Sequence, residues 1–245
     1  MPTRKKKTDE FPRFERAMMI SAHPDDPDFS AAGTLARLAE AGTEVTVVIC
    51  TDGREGGEDP SVPDAELTKR RYAEQCAASA ELGITDVVFL GHPDGRLEHT
   101  VEFRKEIAAQ IRRHRPELVL THVPSINLDM PIGGYHPDHL AVGQATLAAV
   151  YPAARNPRAF RELLAEGLEA WRVKEVWIPL WMMGDFYVDI SSSIEKKIKA
   201  LRQHESQFTN WKDWEEGMRD RMRKMAKASG TGYEYVEGFK RIKIG

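Results

Sequence analysis

AMMISAHPDD, residues 17–26, joins an apolar run to a cluster of chemistry-bearing side chains. Ala17 to His23 is too short for a helix and ends in polar residues, as a buried strand does. The pattern repeats outward from it. Leu35, Leu38 and Ala39 recur at helical spacing between Ala31 and Ala41, and Gly42 stops that helix. EVTVVICT (Glu44–Thr51) is a second apolar, β-branched strand. After a loop rich in Gly and Pro, Asp64 can cap a helix running to Leu82. DVVFLG (Asp86–Gly91) is a third strand, His99–Arg115 a helix closed by Pro116, and ELVLTH (Glu117–His122) a fourth strand. Strand and helix alternating at these intervals require right-handed crossovers and a parallel sheet. The fold class is α/β, doubly wound, with helices on both faces of a mostly parallel sheet.

The remainder is less regular. Leu140–Val150 reads as a helix and Leu163–Gly167 ends another. Val176–Met182 and Phe186–Ile190 read as strands. Ser192 and Glu195 form a capping box for a helix reaching Glu205. Asn210–Lys227 is a charged helix, and GYEYVEGFKRIKI returns as an edge strand. No low-complexity linker divides the chain, so residues 1–245 read as one domain, with 1–16 a flexible basic tail.

Composition narrows the classes. A chain of 245 residues with 41% hydrophobic and 30% charged residues can bury one sizeable core. A net charge of −3 gives no case for nucleic acid as partner. No apolar run approaches the roughly 20 residues of a membrane span, and the basic start does not resemble a secretory signal. Cys50 and Cys76 read as buried free thiols. The expected address is the cytoplasm. Gly56-Gly57 lacks the pattern of a phosphate cradle, which disfavours a nucleotide-dependent enzyme.

The tripeptide His-Pro-Asp occurs three times: at 23–25, 92–94 and 136–138. Each copy follows a strand, and ligands of open α/β sheets bind beyond the carboxyl ends of the strands. In HPDD, His23 and Asp26 can reach one metal from a turn that Pro24 tightens, leaving Asp25 free to take a proton from a water. The plainer reading is a helix start dressed with acids for the macrodipole. HPDH adds His136 and His139, which lie close enough to share a site without both being ligands. The ligand set is read as His23, Asp26 and His139, the alternative being that His136 and His139 only cap a helix. His136 can donate to an oxyanion, with Asp138 orienting it. Asp94 is either a hydroxyl acceptor for substrate or an ordinary turn residue before Gly95. Lys196, Lys197 and Lys199 read as a solvated helix face, and His204 with Gln207 as structural.

AHPDD with GTLA (Gly33–Ala36), then HPDH with LAVG (Leu140–Gly143), resembles the LmbE-like or PIG-L family of zinc-dependent N-deacetylases. TDGREG, RRYAEQCAASAELGI, LGHPDGRL and DISSSIEKKIKALRQHESQ extend the resemblance from Ala17 to Phe239. It implies a Rossmann-like sheet whose C-terminal portion completes the site. It also implies hydrolysis of the acetamide of an N-acetylglucosamine-type amino sugar, a small-molecule partner. Zn2+ would be held by His23, Asp26 and His139, with Fe2+ or another divalent ion an alternative. Asp25 would be the general base, and His136, supported by Asp138, the oxyanion donor. Arg71 and Asp94 fall on substrate-contacting positions, and Tyr135 is a further candidate. A homo-oligomer is compatible with the resemblance. The competing classes are a metal-binding protein of the same fold without turnover, and an amidase for a non-sugar or thiol-conjugate amide.

Overall fold

The computed structural model describes residues 11–57, 59–126, 135–180, 184–208 and 212–245. The basic run Arg4–Lys7 and the Trp181-Met182-Met183 segment lie outside these residues. The parallel strands are β1 (Arg16–Ser21), β2 (Glu44–Thr51), β3 (Asp86–His92), β4 (Leu118–Thr121) and β5 (Glu175–Pro179). They join β6 (Phe186–Asp189) and β7 (Val236–Lys243) in one sheet of order β3-β2-β1-β4-β5-β7-β6. The strands grow outward from β1 to β3, and then the chain jumps back across β1 to lay down β4. That reversal opens a crevice beyond the ends of β1 and β4, where α/β sheets bind ligands.

The helices are α1 (Asp26–Glu40), α2 (Asp64–Glu81), α3 (Val101–His114), α4 (Pro137–Ala148), α5 (Arg161–Ala165), α6 (Ile194–Arg202) and α7 (Trp214–Ser229). They divide between the two faces of the sheet. Met19, Val47, Ile49 and Leu120 face a core shared with α1, α2, α6 and α7. Met18, Ile20, Val48 and Val119 face a second core with α3 and α4. Burial on both faces is why the central strands read as continuous apolar runs rather than alternating ones. Among the described residues no helix is long and apolar enough to cross a membrane.

Two glycines set how closely the helices approach. A Cβ on Gly33, within α1, would lie 2.8 Å from Cβ of Ile190. One on Gly143, within α4, would lie 2.6 Å from the carbonyl oxygen of His122. Both helices carry site residues at their first turns, so both glycines set the depth at which those turns meet the sheet.

Five local expectations are corrected. The C-terminal strand is interior: β7 runs antiparallel between β5 and β6, and β6 is the edge. Asp64 is the first helical residue and Pro63 precedes it, with no side-chain cap. Ser192 and Glu195 make no capping box; α6 starts at Ile194, and the Ser193 hydroxyl donates instead to Gly33 O at 2.8 Å. Cys50 is buried, but Cys76 is exposed on α2; both are free thiols.

The fifth concerns Lys197, which is fully buried rather than solvated. Its ammonium donates to the carbonyls of Asp28 (2.8 Å) and Phe29 (2.7 Å) and to Glu237 Oε1 (2.8 Å). Glu237 accepts from the backbone N–H groups of Gly33 and Thr34 at 3.1 and 2.8 Å. A buried ion pair therefore bonds to α1's own backbone groups and ties that helix to α6 and β7. Lys196 and Lys199, close to it in sequence and not buried, conceal such a lysine from a reading by pattern.

Candidate metal and catalytic site

The crevice is lined by loops after β1, β2, β3 and β4. His23 follows β1 and is 8% exposed. Its two ring nitrogens face different company. Nδ1 lies 3.3 Å from Asp26 Oδ2 and 3.2 Å from His139 Nε2. Nε2 lies 2.9 Å from Asp94 Oδ1 and 3.2 Å from Asp138 Oδ2. His139, in the first turn of α4, also meets Asp26 Oδ1 at 3.1 Å. His23, Asp26 and His139 thus converge, each with a ligand atom within 4.8 Å of the others.

This donor set fits a divalent cation. Carboxylates at Nε2 favour the proton on that nitrogen and turn the Nδ1 lone pair toward Asp26 and His139, as in carboxylate–histidine–metal arrangements. Two imidazole nitrogens and a carboxylate meeting at one point are an N/O shell suited to zinc and similar ions. Burial alone would depress the His23 pKa, but hydrogen bonds to Asp138, Asp26 and Asp94 push it up to about 12. The surroundings of this imidazole therefore strongly favour positive charge.

Asp25 occupies the turn between His23 and α1. Burial raises its pKa to about 6, against the pull of the Arg71 guanidinium, and the neighbouring Asp26 raises it further. Its backbone has φ 104° and ψ −33°, a region in which non-glycine residues are rare. Such a conformation costs about 1–3 kcal/mol and persists only when the surroundings impose it. Three groups do so. Arg71 donates to Pro24 O at 2.6 Å and to Asp25 Oδ2 at 3.1 Å. Gln75 Oε1 accepts from Asp25 N–H at 2.8 Å. Asp25 O accepts from the N–H groups of Asp28 and Phe29 at 2.9 and 3.0 Å.

The structure places the expected residues as follows. His136 is exposed at the start of α4, and its Nδ1 accepts from the backbone N–H of Asp138 at 3.2 Å. That bond leaves Nε2 as the protonated nitrogen of the neutral ring, so His136 can donate without becoming a cation. The Asp138 carboxylate, expected beside His136, is corrected to a different task. It is fully buried and accepts from Gly95 N–H (2.8 Å) and Leu97 N–H (3.0 Å) besides contacting His23. Asp94 is 4% exposed; Oδ1 faces His23 and Oδ2 accepts from Glu55 N–H at 3.1 Å. Arg71 is 2% exposed and donates to Gly53 O at 2.6 Å as well as to Pro24 and Asp25. In this arrangement Arg71 and Asp94 build the site's wall rather than face open solvent. Tyr135 is half-buried just before His136. His92 turns away, to Glu106 at 2.6 Å.

Three contributors stand outside the expected set of site residues. His122 stacks on His139, ring centroids 4.0 Å apart and 12° from parallel, and so fixes that ring. Burial, with the charge of His139, drops the His122 pKa to about 4, in keeping with its Nε2 accepting from Ala22 N–H at 3.0 Å. Its place at the end of β4 was the only signal. Gln75 and Asp28 are the others. They lie on the back of the same turn, and no spacing rule marks them.

Comparison with known proteins gives the family and the fold. Residues 18–150 match the model of the family PIG-L, GlcNAc-PI de-N-acetylase. Diacetylchitobiose deacetylase of Thermococcus kodakarensis is 34% identical over 92% of this chain and 82% of its own length. The 1D-myo-inositol 2-acetamido-2-deoxy-alpha-D-glucopyranoside deacetylase of Actinosynnema mirum is 32% identical, covering 81% of this chain and 82% of that protein. Among solved structures, N,N'-diacetylchitobiose deacetylase from Pyrococcus horikoshii, complexed with an inhibitor, superposes with a TM-score of 0.86. It shares 27% identity, and the match spans 98% of this chain and 88% of that one.

Proposed function

The chain belongs to the PIG-L family, and from that premise we propose that it is a metal-dependent N-deacetylase of N-acetylglucosamine-type amino sugars. The observation that carries the reading is the His23 ring. One nitrogen faces Asp26 and His139, and the other faces the buried carboxylates Asp94 and Asp138, with Asp25 beside them. A ligand shell alone needs no free carboxylate at its edge; hydrolysis does.

His23, Asp26 and His139 would hold the ion, which we propose to be zinc. When bound, zinc supplies a Lewis acid that polarises the acetamide carbonyl and lowers the pKa of water. The remaining work falls to the protein. Asp25, its pKa raised by burial, accepts a proton from the attacking water as the oxygen bonds to the acetyl carbon. His136 Nε2–H donates to the oxyanion of the tetrahedral intermediate. The C–N bond then breaks, the amine takes back the proton held by Asp25, and acetate and the free amino sugar leave. Arg71 fixes the Asp25 carboxylate while these transfers occur. The absence of a disulfide between Cys50 and Cys76 suits a reducing compartment, and we propose the cytoplasm.

The test pairs metal analysis of the purified protein with free-amine release from N-acetylglucosamine, its oligomers and simple N-acetylglucosaminides. It is run as purified, after chelation and after zinc or iron repletion. About one ion per chain with chelator-sensitive release supports the reading, and the metal that restores the rate identifies the ion. Metal without release from any of these substrates would favour a binding protein of the same fold. Release that survives complete chelation would overturn the metal mechanism.

A further inference from the structure

The residues that hold Asp25 are themselves held, and the path of those bonds leads away from the crevice. Arg71 and Gln75 stand four residues apart on α2 and therefore on one helix face. Arg71 grips the Pro24 carbonyl at 2.6 Å and Gln75 the Asp25 N–H at 2.8 Å. These are the two ends of a single peptide plane. With the plane pinned at both ends and the Asp25 carbonyl bonded into α1, the backbone on both sides of Asp25 is fixed, and with it the direction of its carboxylate.

Gln75 can do this only with its oxygen toward Asp25. Its Nε2 donates to Asp28 Oδ2 at 3.0 Å and to Ser79 Oγ at 3.2 Å. An amide turned the other way would set its oxygen against a carboxylate and its N–H against an N–H, so Asp28 selects the orientation. Asp28 is in turn met by His204, whose Nε2 lies 2.9 Å from the same Oδ2. Gln75, Asp28 and His204 are all fully buried. Beside them, Glu74 accepts from Ser206 N–H and hydroxyl at 3.0 and 2.6 Å, docking the 204–207 segment on α2.

We infer that Gln75 and His204 are positioning residues for Asp25: the relay His204–Asp28–Gln75 holds the Pro24–Asp25 peptide in the orientation that aims the catalytic carboxylate. Neither residue touches substrate or metal. The inference rests on the reading of Asp25 as base.

The experiment compares Gln75→Leu, His204→Phe and His204→Gln with wild type, each alone and with Asp25→Asn, in the full-length metal-loaded protein. The readouts are kcat, KM, metal per chain and the thermal midpoint. His204→Gln keeps a donor where Nε2 stands, so it serves as the conservative rescue. Gln75→Leu and His204→Phe should lower kcat about 10- to 100-fold, the scale of misplacing a reacting group. KM should stay within about twofold and metal at about one per chain. His204→Gln should recover most of the rate. In the Asp25→Asn background, Gln75→Leu should change the residual rate by less than about twofold, because the group it aims is gone.

An equal loss with and without the Asp25 carboxylate would overturn the inference, as would loss of metal in step with rate. If Gln75→Leu does not fold, the His204→Phe and His204→Gln pair makes the same distinction. Wild-type kcat in Gln75→Leu and His204→Phe, with Asp25→Asn inactive, overturns the inference alone. Full activity in Asp25→Asn overturns the base reading and the inference with it.

Discussion

Asp26 and Asp28 lie two residues apart in the first turn of α1, and they face opposite worlds. Asp26 looks forward at three imidazoles, His23, His122 and His139, whose nitrogens lie within 3.3 Å of its oxygens. Asp28 looks backward at Gln75 and His204, donors already committed to it, while Lys197 ties down its carbonyl. The front is a cluster of imidazoles and a carboxylate whose ligand atoms converge. The back is a buried network in which Gln75 and His204 share Oδ2 of Asp28, while Asp28 Oδ1 and His204 Nδ1 have no hydrogen-bond partner among the described residues. The difference teaches where a close cluster of charged groups signals function. Ligand atoms that converge on one point offer a site to a cation, whereas donors already committed to an acceptor do not. Asp25 sits at the boundary, with its side chain in the front and its backbone gripped from the back.

Substitutions should separate the two sides: front changes remove the metal or the base itself, whereas back changes act through stability at Lys197 or through the aim of Asp25 at Gln75 and His204. The largest effect is expected from Asp25→Asn. Its kcat should fall about 10²- to 10⁴-fold, the range for loss of a general base, with the metal retained and the midpoint of thermal unfolding unchanged. Loss of metal in that variant would move Asp25 into the ligand shell. Next comes Lys197→Met, which leaves Glu237 buried without its cation and should cost about 3–5 kcal/mol in urea unfolding. The double change Lys197→Met with Glu237→Gln should recover part of that loss. A cost under about 1 kcal/mol for Lys197→Met would mean that the back is softer than its geometry implies.

Metal linkage sharpens the contrast further. At about 100 times its Kd, zinc should stabilise the wild type by about 2.7 kcal/mol. Asp26→Asn should abolish that gain and His204→Gln should keep it, which melts with and without metal would read directly. The smallest effect is a pH dependence at the back. Burial works against a charged His204, but hydrogen bonding to Asp28, together with the charges of Asp28, Asp25 and Glu74, raises its pKa above 6.5. The folded state therefore holds this proton more tightly than the unfolded chain does. The contribution is complete below 6.5 and is lost as pH rises through the folded value. Urea midpoints of wild type should fall relative to His204→Gln as pH rises above 6.5 through the raised folded-state value. Parallel curves would remove His204 from the account.

Much of the front was legible. The run Ala17–His23 and the turns after each strand gave the parallel core, and the His-x-x-Asp and His-x-x-His spacings named residues that the fold brings together. The histidines of the three His-Pro-Asp copies divide: His23 and His136 enter the crevice, and His92 leaves it for Glu106. The back was not legible. Lys197 sits among lysines that a helix normally displays to water, and its burial depends on Glu237, forty residues later in the chain. Gln75 matters because of a peptide plane in another loop, which no local pattern encodes. The place of β7 inside the sheet follows from long-range pairing, the least local of interactions. GTLA and LAVG were matched as family-like strings; their physical content is the close approach at Gly33 and Gly143.

The bond from Glu237 on β7 to Gly33 N–H spans 204 residues. A ribosome would therefore finish α1 long before it makes the carboxylate that accepts its N–H groups and pairs with Lys197. Arg71 and Gln75 can hold the turn soon after it is made, but the support that Glu237 gives α1 must wait for β7. A chain interrupted before β7 would carry the metal-binding letters without the frame that sets them, and should neither sequester zinc in the cell nor cleave anything with it. Placing β7, which follows every other described strand in the chain, between two earlier ones makes its synthesis a condition for the chemistry.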